Sequence, residues 1–361
     1  MQPYRQALVS IIVPTLNARR TLHNTLESIA RQSYPAEDIE VLLIDGGSTD
    51  DTLPIARQYG CTILTNEKVQ QEFAKHIGLL AARGEYLMFL DSDEVLDNPD
   101  DIRIKVDSLR RDESLIFIGS SGYRKPPGTS PINDYINLFA DPFAWFMYCM
   151  PYDSRAYVPS MRRRYSIVRE DDDTLVLGFD DTEELPLMDL AAGVVINSLR
   201  LAPALGGQAT EESVIPQVLY RAVRHSRTMG LAKNCPITHD SADTLARYVR
   251  KLMWRVVVNV HYPTLPGTGY SNRLSFQHAG MRLKRLLFIP YATTVIGPAI
   301  ESVVVAIRRS CPIALIHAPL SFFVAMYILF QMMLKCVGIR PRLTTYGGRQ
   351  ELPTASGVGT P

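Results

Sequence analysis

The chain has 361 residues, enough for one large domain or two smaller ones at roughly 150 residues per domain. Its 38 Lys and Arg residues balance 37 Asp and Glu residues, and a net charge of +1 argues against a protein that binds nucleic acid over its whole surface. The five cysteines form no CxxC pair, so the sequence predicts no zinc site or disulfide framework and favours a reducing compartment.

Short apolar runs alternate with amphipathic stretches through the first 120 residues. The pattern predicts strands at 9–13, 39–44, 61–64, 86–90 and 115–119, and helices at 19–32, 51–59, 69–83 and 102–111. This alternation is typical of an α/β fold with a mostly parallel, Rossmann-like sheet flanked by helices. Such sheets bind ligands at the carboxyl ends of their strands, so we expect Asn17, Asp45 and Asp91 to share one crevice.

The second half of the chain gives a weaker pattern. Residues 120–190 show no clear periodicity. After them the sequence predicts a strand within 191–201, a helix over 212–228, a strand at 235–239 and a helix over 242–260.

Two long apolar segments follow, at 287–307 and 311–334, each close to the ~20 residues that cross a bilayer. The first carries one charge, Glu301, and each is interrupted by prolines. They predict a membrane-associated helical pair, either a two-pass hairpin or a re-entrant or interface-lying pair. The first 20 residues lack the apolar core of a secretory signal, so we expect the N-terminal part to act in the cytoplasm.

An acidic cluster, Asp91-Ser92-Asp93-Glu94, directly follows the predicted strand at 86–90. Like charges this close repel and raise one another's pKa, so either a positive partner is expected or the cluster is a solvated loop. Carboxylate oxygens are ligands that suit Mg²⁺ or Mn²⁺.

The order of three motifs resembles that of a known family. Pro14-Thr15-Leu16-Asn17, then Ile44-Asp45-Gly46-Gly47-Ser48-Thr49-Asp50, then Asp91-Ser92-Asp93 are similar to the N-terminal half of family-2 inverting glycosyltransferases with the GT-A fold. The resemblance covers residues 8–125 well and 190–260 loosely. It implies a nucleotide-sugar donor, with a UDP-sugar favoured by its frequency in the family, and a divalent cation.

The resemblance also implies roles for individual residues. It implies that Asp93 is the metal ligand and that Asp45 contacts the nucleobase, whereas Glu94 either supports the site or is solvated. The residues expected to bind the nucleotide sugar are Pro14, Thr15, Asn17, Asp45, Lys75 and Asp91. The alternative for Lys75 is a solvated helix face, and His76 departs from the Asn that the family usually has.

A general base is expected in Thr210-Glu211-Glu212, after the Gly206-Gly207 turn. The family has Asp where this chain has Glu212, so Glu212 is the expected base and Glu211 the alternative. Both could instead be acids that favour a helix N-terminus. Asp189 and His239 are weaker candidates for the site.

The resemblance divides the chain into a catalytic domain (1–240, with a nucleotide-sugar half at 1–125 and an acceptor half at 126–240), linker helices (241–286), a membrane-associated pair (287–340) and a disordered tail (341–361). The expected activity is metal-dependent, inverting transfer of one sugar to a lipid-linked or saccharide acceptor. The expected place is the cytoplasmic face of the inner membrane, in cell-envelope polysaccharide or glycolipid synthesis. The alternatives are a polyprenyl-phosphate glycosyltransferase and a catalytically degenerate membrane scaffold.

Overall fold

The computed structural model describes residues 8–180, 184–263 and 271–344. Most of the predicted disordered tail, residues 345–361, lies outside the described residues. The predicted domain boundaries at 240 and 286 are not tested by the structure and stay predictions.

Twelve strands are present in the described residues, most of them three to seven residues long. They are β1 (Val9–Thr15), β2 (Ile39–Asp45), β3 (Thr62–Thr65), β4 (Tyr86–Phe89), β5 (Glu94–Leu96), β6 (Phe117–Gly119), β7 (Tyr123–Arg124), β8 (Ser166–Glu170), β9 (Thr174–Gly178), β10 (Val194–Asn197), β11 (Thr228–Ala232) and β12 (Ile237–His239).

Fourteen α-helices accompany these strands in the described part of the chain. They are α1 (Leu22–Ala30), α2 (Thr52–Gln58), α3 (Gln71–Ala81), α4 (Asp101–Arg111), α5 (Ile132–Phe139), α6 (Pro142–Tyr148), α7 (Tyr157–Arg164), α8 (Ser198–Leu205), α9 (Val218–Ser226), α10 (Leu245–His261), α11 (Ala279–Lys284), α12 (Phe288–Thr294), α13 (Ile296–Arg308) and α14 (His317–Cys336).

Nine strands form one central sheet in the order β3-β2-β1-β4-β10-β6-β11-β9-β8. All of them except β9 and β10 run in the same direction. The register aligns Thr15 with Asp45, so β1 and β2 end at the same edge, and β4 ends beside Ile12 of β1. The predicted α/β fold with a large, mostly parallel sheet is therefore confirmed.

A second, three-stranded sheet has the order β5-β12-β7. It begins at Glu94, immediately after β4, and its register places His239 of β12 opposite Glu94. Tyr123 of β7 pairs with Ile237 on the other side of β12. This small sheet therefore brings residues more than 140 positions apart in the sequence to the edge where β4 ends.

Apolar side chains cover both faces of the central sheet because successive residues of a strand point to opposite sides. Along β1, Ile12 packs into the core on one face, whereas Ile11 and Val13 pack into the core on the other. All seven residues of β1 are buried. The strand is thus fixed on both faces, which holds its carboxyl end in place.

The C-terminal helices form a third apolar core with α5 and α10. Helix α14 is attached to the rest of the protein at both of its ends. Near its start the Tyr135 hydroxyl lies 2.9 Å from Nδ1 of His317, and near its end Oε1 of Gln331 lies 3.0 Å from Nε2 of His261. The Lys335 ammonium also donates to the carbonyl of Val260 over 2.7 Å. Helix α14 therefore lies along α10 for most of its length.

Several predicted elements are corrected by the structure. The predicted strand within 191–201 is shorter, and α8 begins directly after it. The predicted helix over 212–228 begins with a 3₁₀ segment, and its end is occupied by β11, which was not predicted. The apolar segment 287–307 is not one helix, because the chain turns at Val295 (φ 63°) between α12 and α13.

In the described residues, Pro312–Cys336 is the one helical stretch that is long and apolar enough by itself to cross a membrane. Ala279–Thr294 and Ile296–Arg308 meet that criterion only when they are taken together, and they are bent by 82° relative to each other.

Candidate active site

Two loops at the carboxyl edge of the central sheet are joined by hydrogen bonds. The N–H of Asn17 donates to Oγ of Ser48 over 2.8 Å, and its side-chain Oδ1 accepts from the N–H of Thr49 over 2.9 Å. Asn17 has a φ of 50°, which asparagine tolerates better than most residues. Asp45 accepts from the N–H groups of Gly47 and Ser48 at 2.9 Å. The exits of β1 and β2 therefore form one connected rim.

Pro14, Thr15 and Asp45 all lie at this rim, at the strand ends that the sequence predicted. The Thr15 carbonyl accepts from the N–H of Gly46 over 2.9 Å, and the Ser48 hydroxyl donates to Asp45 over 2.5 Å. Asp45 is only 6% exposed and already accepts three hydrogen bonds from its own loop. Its predicted contact with a nucleobase stays a prediction, and it would require the loop to share this carboxylate.

Glu94 is the buried member of the acidic cluster, at 1% exposure. Its Oε2 accepts from the N–H groups of Asp91 (2.9 Å) and Ala192 (2.8 Å), and its Oε1 accepts from the Tyr123 hydroxyl (3.0 Å). Burial, reinforced by the charge of Asp91, raises the pKa of Glu94 to about 8. Glu94 therefore supports the acidic turn from a buried position, and the alternative that it is solvated is wrong.

Lys75 supplies the positive charge that the acidic cluster was expected to need. Its ammonium lies 2.9 Å from Oδ1 of Asp91, and Lys75 is only 6% exposed. Burial acts to lower the pKa of Lys75, but the neighbouring Asp91 carboxylate outweighs it and the pKa is raised. Lys75 is therefore not part of a solvated helix face, because α3 directs it at Asp91.

Asp93, the remaining acid, faces His239. Their Oδ2 and Nε2 atoms are 3.8 Å apart. Nδ1 of His239 lies 3.0 Å from the amide oxygen of Asn137, a contact that places the ring proton on Nδ1 and leaves a lone pair on Nε2. Burial lowers the pKa of His239 although Asp93 opposes this, so the ring is neutral. Two electron-pair donors that face each other in this way suit a cation between them.

This pair fits the divalent cation that the sequence predicted, because Mn²⁺ and Mg²⁺ accept carboxylate oxygen and Mn²⁺ also accepts imidazole nitrogen. The imidazole is also oriented by Asn137 and stacked on Tyr123, with ring centroids 4.7 Å apart. Within the described ranges, no three His, Cys, Asp or Glu side chains are grouped to hold a metal ion. A bound cation would therefore need ligands from the substrate as well.

The two predicted base residues lie in the segment after the Gly206-Gly207 turn, and both glycines have positive φ, as a tight turn requires. Glu212 forms an ion pair with Lys68, and Glu211 is exposed. The carbonyl of Ala209 in the same segment lies 3.0 Å from Nε2 of His76, so α3 fixes its position.

A cavity of about 190 Å³ lies next to the acidic turn, below the sheet edge. His239, Asp189, Lys251 and Arg255 are among its lining residues, whereas Glu211 and Glu212 are not. The carboxylate of Asp189 is paired with Arg273. Asp189, a weaker candidate in the sequence, is thus placed closer to the cavity than the expected base.

Sequence reasoning missed several residues of this site. Tyr123 and Asn137 fall in the stretch 120–190, where no motif or periodicity singled them out. Lys251 and Arg255 carry only a weak signal, which is the spacing of two cations four residues apart on a predicted helix. His239 could be found because it ends a predicted strand.

The comparison with protein families identifies the part of the chain that holds this site. Residues 10–157 match the model described as glycosyl transferase family 2. This part of the chain is similar to glycosyltransferase family 2 domains. The matched range includes the rim, Lys75 and the acidic turn. The predicted enzyme class, a glycosyltransferase, is confirmed, whereas the donor and the acceptor are not identified by this match.

Curated relatives support the same assignment. The chain is 35% identical over 95 residues to a poly(ribitol-phosphate) beta-N-acetylglucosaminyltransferase of Staphylococcus aureus, which is 24% of this chain and 16% of that protein. It is 40% identical over 95 residues to a PGL/p-HBAD biosynthesis glycosyltransferase of Mycobacterium bovis, which is 25% of this chain and 36% of that protein. The chain thus matches well under half the length of each relative.

Among solved structures, a mannosyltransferase from Pyrobaculum calidifontis in complex with GDP-Man and Mn²⁺ is similar with a TM-score of 0.49 and 14% identity. The similarity covers 92% of this chain and 88% of that one.

The ion pair between Lys75 and Asp91 leads to a stability prediction. Replacing Lys75→Met leaves the half-buried Asp91 carboxylate unpaired, and we expect a loss of about 3–5 kcal/mol in the free energy of unfolding. Adding Asp91→Asn should recover most of this loss, because the uncompensated charge is then gone. Urea unfolding of the wild type, the two single variants and the double variant measures the coupling. Additive losses would mean that the two side chains do not interact.

Proposed function

We propose that the chain is a metal-dependent, inverting glycosyltransferase that moves one sugar from a nucleotide sugar, with a UDP-sugar favoured, to an acceptor at a membrane surface. One observation carries the proposal. Asp93, which lies in the range that matches the glycosyl transferase family 2 model, faces the ring of His239 across 3.8 Å just after the end of β4. The rim formed by the exits of β1 and β2 lies at the same edge and would hold the nucleoside.

The reaction breaks the bond between the sugar and a nucleoside diphosphate, so negative charge grows on the departing diphosphate. A divalent cation held by Asp93 and His239 would neutralise that charge. Lys75 and Glu94 have a different task, because they keep Asp91 paired and the turn folded. Asp91 then presents its second oxygen toward the donor sugar or ribose.

Inversion requires a group on the acceptor side that takes the proton from the attacking hydroxyl. Glu212 is the proposed base because of its position after the Gly206-Gly207 turn, and Lys68 holds it at the mouth of the site. Asp189 is the competing candidate because it lines the cavity.

The Asp93 assignment predicts the outcome of one substitution. Asp93→Ala should lower transfer about a thousandfold, which corresponds to a loss of several kcal/mol of transition-state stabilisation. Product mass spectrometry with a panel of nucleotide sugars, a membrane lipid extract and Mn²⁺, with and without chelator, measures the effect. Asp172→Ala, an exposed acid between β8 and β9, is the control and should retain full activity. Chelator-resistant transfer by the wild type would contradict the metal requirement.

A second pair of variants tests the base. Glu212→Gln should lower kcat by about 10²–10⁴ while the KM for the donor changes little, because a base acts on the acceptor. Asp189→Asn should have a smaller effect on kcat, since its carboxylate is held by the largely buried Arg273, whereas Glu212 is paired with a half-exposed Lys68. Steady-state kinetics of both variants decide which residue is the base. A larger loss of kcat in Asp189→Asn than in Glu212→Gln would identify Asp189 as the base.

The membrane part of the proposal is supported by exposed apolar side chains. Of 23 exposed large hydrophobic residues in the described chain, 18 lie between Leu283 and Ile339. An exposed apolar area that is concentrated in this way indicates a surface that binds another apolar surface. Arg282, Arg285, Arg308 and Arg309 are exposed in the same region and suit anionic lipid headgroups.

The attachment of α14 favours an interface-lying arrangement over a spanning hairpin. A 20-residue helix is about 30 Å long, enough to cross a bilayer, but both ends of α14 are bound to α5 and α10. If α14 spanned the membrane, α10 would enter it too, with Lys251 and Arg255 exposed to a strongly unfavourable environment. We therefore place α11–α14 in the headgroup region of the inner membrane, with the catalytic domain in the cytoplasm.

This arrangement can be tested by cysteine labelling in the full-length chain with its native cysteines replaced. Ser310→Cys, in the turn between α13 and α14, should react with a membrane-impermeant maleimide in inverted vesicles and not in right-side-out vesicles. Glu113→Cys, exposed on the catalytic domain, is the reference for the cytoplasmic side. Labelling of position 310 from the opposite side would establish a spanning hairpin.

A further inference from the structure

Helix α10 presents two different faces. Tyr248, Leu252 and Val256 are buried in the core shared with the C-terminal helices. Lys251 and Arg255, one helical turn apart, lie on another side and both line the cavity below the sheet edge. The helix therefore separates an apolar core from a basic cavity wall.

The two cations line the same cavity, and each also contacts a polar group of the protein. The Lys251 ammonium donates to the hydroxyl of Ser241 over 2.9 Å, and Arg255 pairs with Asp141 at 2.9 Å. Burial, and then the neighbouring charge of Arg255, lower the pKa of Lys251 to about 8. An anionic ligand in the cavity would offset both the burial and the repulsion between the two cations.

Apolar side chains also line the cavity, among them Ile136, Met188 and Leu219. Tyr152 also lines it, and its buried hydroxyl has no hydrogen-bond partner among the residues that the structure describes. A buried hydroxyl of this kind is costly unless a ligand or water satisfies it. The cavity thus combines hydrogen-bond donors with apolar surface.

The negative charge of Asp189, which also lines the cavity, does not oppose an anion. Its carboxylate is paired with Arg273. Arg255 is likewise paired with Asp141, but its guanidinium carries further N–H donors that an anion could use. Asp91 and Asp93, the nearest other acids that act on Lys251, are engaged by Lys75 and by the proposed cation.

We propose that Lys251 and Arg255 bind the phosphate or diphosphate group of a lipid acceptor, with the first apolar groups of the lipid against the apolar side chains of the cavity. The inference rests on the proposed function, in which the Asp93–His239 pair serves the diphosphate of the donor. Helices α5 and α10 both line this cavity and both pack in the core that they share with the C-terminal helices. The proposed phosphate site is therefore close to the helices that would contact the membrane.

The test measures equilibrium binding to the full-length protein in detergent, without turnover. The probes are farnesyl phosphate, farnesol as its uncharged counterpart, and UDP or GDP with Mn²⁺ for the donor side. We expect Lys251→Gln and Arg255→Gln each to raise the Kd of farnesyl phosphate about tenfold or more and to leave nucleotide binding unchanged. Lys251→Arg should retain most of the binding. Arg250→Gln, which removes an exposed cation from the same helix, should change neither ligand's Kd.

Three results would overturn the inference. Equal binding of farnesol and farnesyl phosphate would mean that the cavity recognises only the apolar chain. A loss of nucleotide binding with unchanged farnesyl phosphate binding would assign the two cations to the donor's diphosphate. An equal loss of farnesyl phosphate binding in Arg250→Gln would mean that the binding depends only on the general positive charge of the surface. Failure of the wild type to bind any nucleotide with Mn²⁺ would instead contradict the proposed function and leave the phosphate site standing.

Discussion

The placement of three carboxyl groups within four residues, Asp91 to Glu94, is the constraint around which this site is built. Three charges at that spacing cannot remain together at the end of a buried strand without compensation. The environments of the three acids differ: Glu94 is buried with a raised pKa, Asp91 is paired with Lys75, and Asp93 faces the ring of His239. The three carboxyl groups therefore stand within four residues without sharing one environment.

Elements far apart in sequence are needed to maintain this arrangement. Helix α3 contributes Lys75 to the acidic turn and, through His76, fixes the segment that carries Glu212. The small sheet contributes Tyr123, which connects Glu94 to the ring of His239 by a hydrogen bond on one side and a stacking contact on the other. The acidic turn, the segment that carries Glu212 and the Asp93–His239 pair are therefore held in place by a few shared residues.

The sequence predicted the first half of the fold well because its signals are local. Strands β1, β2 and β4 are short apolar runs that end at polar turns, and the rim residues Asn17 and Asp45 follow from those ends. The sequence located the acidic turn but did not predict the burial of Glu94, since Glu94 is held by hydrogen bonds from Tyr123 and from the backbone of Ala192. Contacts of this kind join residues that are far apart in the chain, and no sequence pattern indicates them. The same reason applies to β11 and to the bend at Val295.

Helix α10 contacts two different environments, and this limits the substitutions that the helix can accept. One side of the helix packs in the apolar core that supports α14, and the other side faces the cavity with its cations. A substitution that shifts or rotates this helix to suit one neighbour would displace the groups that serve the other. The packing of the C-terminal helices and the shape of the cavity therefore depend on each other: the C-terminal helices cannot be exchanged for foreign ones without rebuilding a wall of the cavity.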